Sequence, residues 1–347
     1  MRKLATLQQI HSIKHHPNAD RLDLVEIKGW TVVTLRDEFT PGDWGVYFEI
    51  DSYLPEYPEF EFLRKSSFKT HPELGSGYRI KTQKLRGIVS QGLLIPVHTL
   101  FPYVEGLPLT EDTDVTEIFQ VQKWEAPIPI QLQGFVEGMF PSFLRKTDQE
   151  RIENIAVEVF QEHSNDLFEV SLKLDGSSCT SYYLNGKVGV CSRNFELKLT
   201  EENSINAFVR AATDSKLLSA LVSLQKPIAV SAELMGPGIQ GNRENLTKLS
   251  LFVFDIWDIE QHRYCSQLER QVLFTELQQC GFIGEHVPVL DSGKTLQELG
   301  IIDVAASKVY VDKPSLNSPI AEGCVFKRID GQYSFKSINN KYLLKFE

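Results

Sequence analysis

From residue 167 the chain is punctuated too closely for anything but short strands that turn back on one another. LFEVSLKLDG, SCTSYYLNG and KVGVCSRN follow in direct succession. The last two meet at Asn185-Gly186, a dipeptide suited to a two-residue hairpin. The three segments therefore read as consecutive antiparallel strands. PIAVSAELMG, KLSLFVFDIWDIE, GCVFKRI and YSFKSI carry the same signature, and two helical stretches interrupt them: NSINAFVRAATDSKLLSALVSLQ, and SQLERQVLFTELQQCG ended by Gly281. Ahead of them, TDQERIENIAVEVFQEH reads as a helix capped by Thr147 or Asp148, with Ile152, Ile155, Val157 and Phe160 on one side. Residues 145–347 thus form an α+β domain built on antiparallel sheets. No GxGxxG or GxxxxGK[ST] follows a strand, which argues against Rossmann and P-loop nucleotide sites.

A chain of 347 residues favours two domains. Residues 1–100 read as all-β: LVEIKGWTVVTL alternates on both sides of Gly29, FTPGDWGVYFEID repeats a strand after a turn, and RGIVSQGLLIPV adds another pair. Short strands with glycine turns at this density suggest a small barrel of the OB kind. Residues 101–144, rich in Pro, Gly and isolated aromatics, read as a linker. The adjacent His15 and His16 have no third metal ligand nearby and read as loop surface.

The formal charge of −10 speaks against nucleic acid only on average. Residues 62–92 hold seven Lys or Arg against one acidic residue, and the C-terminal stretch carries Lys336, Lys341 and Lys345. Five cysteines, an odd number without a CxxC pair, argue against a disulfide scaffold and a cysteine-rich zinc site. No apolar run reaches 18 residues and the N-terminus lacks a signal-peptide pattern, so an intracellular protein is expected, cytoplasmic if prokaryotic, with no membrane partner.

Lys173 lies in an otherwise apolar strand and is followed by Asp175-Gly176. The plain alternative is an edge-strand lysine that blocks aggregation. The sharper reading is a nucleophile made neutral by burial and nearby cations, with Gly176 permitting a tight bend. Arg193 follows a hairpin and suits a phosphate. Glu233 ends a strand before GPGIQGNR and suits a ribose hydroxyl. Phe254, in LFVFDIW, is either core or a flat surface for a base. Glu322-Gly323 and Lys336 close the series.

In this order the segments resemble the covalent nucleotidyltransferases, the superfamily of ATP-dependent DNA and RNA ligases and mRNA capping enzymes. KTDQERIEN, KLDGSS, SRN, GPGIQGNR and FKSINNKYLLK bring the resemblance closest to the RNA ligase 2-like branch, and to nick-sealing RNA ligases with an N-terminal OB domain. The resemblance implies a lysyl-AMP on Lys173, ATP as cofactor with Mg2+ or Mn2+, and joining of 3′-hydroxyl to 5′-phosphate ends in a nicked RNA or RNA–DNA duplex. Lys173, Arg193, Glu322 and Lys336 would be catalytic. Lys173, Asp175, Gly176, Arg193, Glu233, Phe254, Lys336 and Lys341 would hold the nucleotide, and Glu322 and Glu233 the metal. Lys336 and Arg193 would lower the pKa of Lys173 by repulsion. Many relatives carry a second lysine where this chain has Ile338, a place Lys341 or Lys345 would fill in part. The chain stops eleven residues after Lys336, leaving no room for a C-terminal barrel. A DNA ligase, a guanylyltransferase and a non-catalytic nucleic-acid-binding protein are the alternatives. A monomer is expected.

Overall fold

The computed structural model describes residues 3–72, 74–124 and 135–346. Two compact units divide the chain: Met1–Ile128 with Leu343–Glu347, and Pro129–Tyr342.

In the first unit, Ala5–Gln9, Trp44–Phe48 and Leu93–Pro96 form an antiparallel sheet. A meander of Ile13–His15, Leu22–Ile27 and Trp30–Leu35 follows, along with a second sheet in the order Gln122–Lys123, Ser52–Pro55, Gly75–Arg79, Phe68–His71. The alternation of Leu22–Ile27 places Val25 and Ile27 inside and Glu26 outside. Val104, Val115, Phe119 and Val121, from the segment read as a linker, join Leu7, Val46 and Phe48 in one core. Within that segment, residues 125–134 lie outside the described residues. His15 is exposed beside Asp23 but ends the strand Ile13–His15, and His16 is off the strand but buried, its Nε2 3.1 Å from the Leu85 carbonyl oxygen, so the loop-surface reading holds for neither.

The second unit is α+β, with two main sheets among the described residues. One runs Val136–Met139, Phe195–Leu197, Lys187–Cys191, Ser177–Leu184, Ile228–Met235, Ser250–Asp258, Arg263–Tyr264, with Glu285–His286 added in parallel to Ser250–Asp258. The other runs Glu150–Arg151, Ser334–Ile338, Gly323–Arg328, Phe168–Lys173, Val289–Lys294. Phe168–Lys173 and Ser177–Leu184 are therefore not paired with each other, as their succession suggested. KLDG instead carries the chain from one sheet to the other. Phe168–Ser171 is paired on both sides and Lys173 on one, so the lysine ends an interior strand and is not a guard on an edge strand.

The helix expected over 147–163 shrinks to Ala156–Gln161. Glu150–Arg151 instead pairs in parallel with Phe335–Lys336, leaving Ile152 buried outside the helix and Val157 68% exposed. Tertiary pairing has overridden a short amphipathic pattern. The long helical stretch after 203 splits into Ala207–Asp214 and Leu217–Leu224, separated where Lys216 adopts a left-handed backbone at φ 59°. These helices and Gln267–Gln279 cover the outer face of the larger sheet through Val209, Leu221, Leu277, Val230 and Val253.

Buried ion pairs tie the sheets together. Arg270, on Gln267–Gln279, is 0% exposed and pairs with Glu169 of the Phe168–Lys173 strand, itself 5% exposed at the side chain. Lys327 pairs with Asp255 across the two sheets at 2.6 Å. Removing one member of such a pair leaves a buried, uncompensated charge. Arg270→Ala is expected to lower unfolding stability by about 3–5 kcal/mol in chemical denaturation, whereas an Arg270→Met, Glu169→Leu double variant is expected to lose far less.

Candidate active site

Lys173 is the last residue of its strand and lies across from Gly323, which in turn pairs with Ile338. Two residues away on the same face run Ser171, Val325 and Lys336, with Arg151 beside Lys336. The strand register alone thus brings Lys173, Lys336 and Arg151 onto one patch of sheet. Gly323 is required there, because a Cβ would meet the Ser337 carbonyl oxygen at 2.2 Å.

Lys173 Nζ donates to Glu322 and lies 2.8 Å from each of its carboxylate oxygens. Burial acts to lower its pKa, but the Glu322 and Glu233 carboxylates outweigh that and hold it above the ordinary lysine value. This corrects the expectation that cations would depress it. The depressed amine is Lys336, pushed down to about 7 by burial and by the neighbouring Arg151 and Lys173. Lys173 has carboxylates at hand and Lys336 has mainly cations.

Gly176 N–H donates to Glu233 Oε1 at 3.0 Å. Gly176 matters for close approach rather than for a left-handed bend: a Cβ there would meet the Leu234 carbonyl oxygen at 2.4 Å and Glu233 Cγ at 2.9 Å. Burial pushes the Glu233 carboxyl up to about 7, with Glu322 adding to the rise and Lys173 opposing it. Asp175 pairs with Arg243 of the glycine-rich loop, and the Arg243 guanidinium lies over the Tyr342 ring at 5.6 Å.

Phe254 sits at a β-bulge. Ser231 pairs with Asp255 and Ala232 with Val253, so Phe254 is the extra residue between them. Lys327 Nζ donates to its carbonyl at 2.8 Å. Its ring, partly buried, packs on a cluster that includes Leu172, Leu174, Met235 and Phe252, drawn from both sheets. The packing bears out the core reading of this phenylalanine in part.

Two of the residues singled out from the sequence lie on exposed ion pairs. Arg193 is half exposed and pairs with Asp148 at 3.0 Å. Lys341 is 65% exposed and pairs with Asp312 at 2.5 Å. Ile338 is buried, and Lys308 Nζ donates to its carbonyl at 2.9 Å while pairing with Glu153. Arg151, Arg243 and Lys308 were not singled out from the sequence. Arg151 and Arg243 lie in quoted phrases, KTDQERIEN and GPGIQGNR, but only the strand pairing and the loop path make them neighbours of the lysines and of Asp175.

A lysine, two acidic groups and a basic patch between two antiparallel sheets define a nucleotidyltransferase-type site. Residues 166–344 match the RNA ligase family, and residues 4–97 match an OB-fold domain family. Among solved structures, a Naegleria gruberi RNA ligase with pyrophosphate is 40% identical, with a TM-score of 0.87 over 99% of this chain and 98% of that one. A glutamate-to-alanine variant of that protein with ATP and manganese matches at 40% identity and TM-score 0.87, with the same coverage. A lysine-to-methionine variant with AMP and manganese matches at 39% and 0.86, again with the same coverage. No match is found among curated proteins. The chain belongs to the RNA ligase family, and the joining of RNA ends is its chemistry.

The opposed pKa shifts have a direct readout. Between pH 6 and 9 an amine-acylating reagent, read by peptide mass spectrometry, is expected to label Lys336 with a midpoint of about 7. Lys173, held protonated by Glu322, is expected to stay the less reactive of the two across this range. Preferential labelling of Lys173 in the nucleotide-free protein contradicts these assignments.

Proposed function

We propose that this RNA ligase is ATP-dependent and works through a covalent AMP on Lys173. The observation that carries the reading is the Lys173 amine, 2.8 Å from Glu322 at the point where KLDG passes between the sheets, with Lys336 on the same face. The states of the Naegleria gruberi protein, with ATP and manganese, with AMP and manganese and with pyrophosphate, support the same cofactor and leaving group here.

Lys173 Nζ loses a proton and attacks the α-phosphorus of ATP. A nitrogen–phosphorus bond forms, the bond to the bridging oxygen breaks, and pyrophosphate leaves. An oxygen of an RNA 5′-phosphate then displaces the lysine, giving a 5′–5′ pyrophosphate linkage. A 3′-hydroxyl attacks the former 5′-phosphate, loses its proton and expels AMP. Lys336 and Arg151 place positive charge beside the nucleophile, where the phosphate gathers negative charge. Gly176, through its N–H, and Asp175, through Arg243, fix the turn and the Glu233 carboxylate at the ribose. Phe254 offers its ring to adenine from the bulge. Arg193 reaches the phosphates once released from Asp148, and Lys341 supplies a further cation from the C-terminal helix.

Among the described residues no group of three His, Cys, Asp or Glu is placed to hold a metal. Glu233 and Glu322 interact, and the one raises the pKa of the other. Glu233 and Glu322, two neighbouring carboxylates, would suit a hard cation such as Mg2+ or Mn2+. Such a cation would neutralise the triphosphate and relieve the Lys173–Glu322 pair. With radiolabelled ATP and magnesium or manganese, the protein is expected to acquire acid-resistant label and Lys173→Met to acquire none. Label on the variant, or none on the parent chain, contradicts the reading.

The substrate we favour is a nick in an RNA or RNA–DNA duplex, gripped by the N-terminal OB domain, whose core takes in Val104, Val115, Phe119 and Val121 beyond residue 100, with 145–347 as ligase domain. A basic hairpin supports this. Gln83–Leu85 and Ile88–Ser90 turn at Arg86-Gly87, both at positive φ. Asn18 Nδ2 donates to the Arg86 carbonyl at 3.2 Å, and the Lys84 and Arg86 side chains are exposed. A monomer is the assembly we favour. No described helix is long and apolar enough to cross a membrane, and five free cysteines fit a reducing interior, cytoplasmic in a prokaryote. A Lys84→Ala, Arg86→Ala variant is expected to keep lysine adenylylation, to seal nicked duplex about tenfold less well at moderate salt, and to reduce the salt slope of duplex binding by about 2. Unchanged sealing and slope contradict the hairpin's role.

A further inference from the structure

The loop that leaves the Ile228–Met235 strand carries two neighbouring charges with different tasks. Arg243 goes to Asp175. Glu244, 4% exposed, goes to the segment that leads into Glu322. Its Oε2 accepts the Asn317 N–H at 2.5 Å and the Ser318 N–H at 3.0 Å. Its carbonyl oxygen accepts from Asn317 Nδ2 at 2.9 Å. Residues 313–322 form no helix or strand, and side-chain anchoring by Glu244 adds to the few backbone bonds that hold them, Ala321 N–H to the Lys313 carbonyl and Ser315 N–H to the Ser318 carbonyl.

Each side of this clamp presents a leucine. Asn242 brackets Leu246, accepting its N–H at 3.0 Å and donating to its carbonyl at 2.9 Å. Leu316 belongs to the clamped segment. Both leucines are partly buried and pack on the same apolar cluster as Phe254. A carboxylate that accepts two backbone N–H groups away from water makes strong, directional bonds. Without it, two backbone donors lose a charged, buried acceptor and the segment loosens.

We propose that Glu244 is a positioning residue for nucleotide selection: by clamping residues 313–320 it keeps Leu316 with Leu246 and Phe254 as the walls of one purine slot. The proposal rests on the reading that ATP binds here. A loosened wall weakens binding of the base and blunts the distinction between bases, while the phosphate chemistry at Lys173 proceeds.

The test measures lysine adenylylation with ATP and with GTP for the full chain and for Glu244→Ala, Glu244→Gln and Leu316→Ala, alongside thermal melting. Glu244→Ala is expected to raise KM for ATP about tenfold, to leave kcat within about twofold, and to narrow the preference for ATP over GTP by about the same tenfold. Glu244→Gln, which keeps an acceptor oxygen, is expected to recover most of the loss. Leu316→Ala leaves the clamp intact and is expected to reproduce the KM rise and the narrowing, so the proposal stays testable if Glu244→Ala fails to fold. Unchanged KM and preference in Leu316→Ala, or in a folded Glu244→Ala, overturn it. If the parent chain takes no AMP from ATP, the ATP reading itself fails, which is a distinct outcome.

Discussion

A half-buried lysine needs a counter-charge, and here Lys173 has Glu322. Much of the site's organisation follows from this pair. Glu322 reaches the amine because its strand neighbour Gly323 lies directly across from Lys173, with no side chain between the backbones of Gly323 and Ser337. The pair holds the pKa of the amine above the ordinary lysine value, which favours the charged form of the residue we propose as nucleophile. Lys336, on the same face, is left with mainly cationic neighbours and becomes the easily deprotonated lysine. Two amines on one sheet thus acquire opposite character from their surroundings.

The scaffold around the pair is rigid for identifiable reasons. KLDG is a crossing between sheets, so Lys173 belongs to one sheet and Gly176 already leans on Glu233 of the other. Arg270 with Glu169, and Lys327 with Asp255, hold the sheets through charges that water does not reach. The second of these also fixes the carbonyl of Phe254 at its bulge. A buried pair of this kind adds little net stability against an apolar replacement, but it penalises displacement of either partner. Precise positioning is what a covalent-transfer site needs.

Much of the site was legible in the sequence because its charged residues stand out in or beside apolar strands, Lys173 and Glu322 at strand ends next to glycine turns. Lys173, Glu233, Glu322 and Lys336 could be picked out with their strands, and the OB-type barrel could be inferred from its turns. What stayed hidden depended on pairing between distant segments. Arg151 looked like part of a helix, since only contact with Phe335–Lys336 makes Glu150–Arg151 extended. The direction of the Lys173 shift was misjudged because sequence order gives no distances: Glu322 is 149 positions away yet in contact. Glu244 carried no motif at all, and its importance arises from the two backbone N–H groups of a distant loop that it accepts.

The central claim is that the parked amine, not the more basic-poor one beside it, becomes the covalent carrier. Incubating the protein with ATP and a divalent cation, then mapping the adduct by peptide mass spectrometry, decides this directly. The account predicts AMP on Lys173 alone, since Lys173 lies at the crossing where Glu322 and Glu233 converge. AMP on Lys336, whose pKa of about 7 already makes it the freer nucleophile, would contradict it.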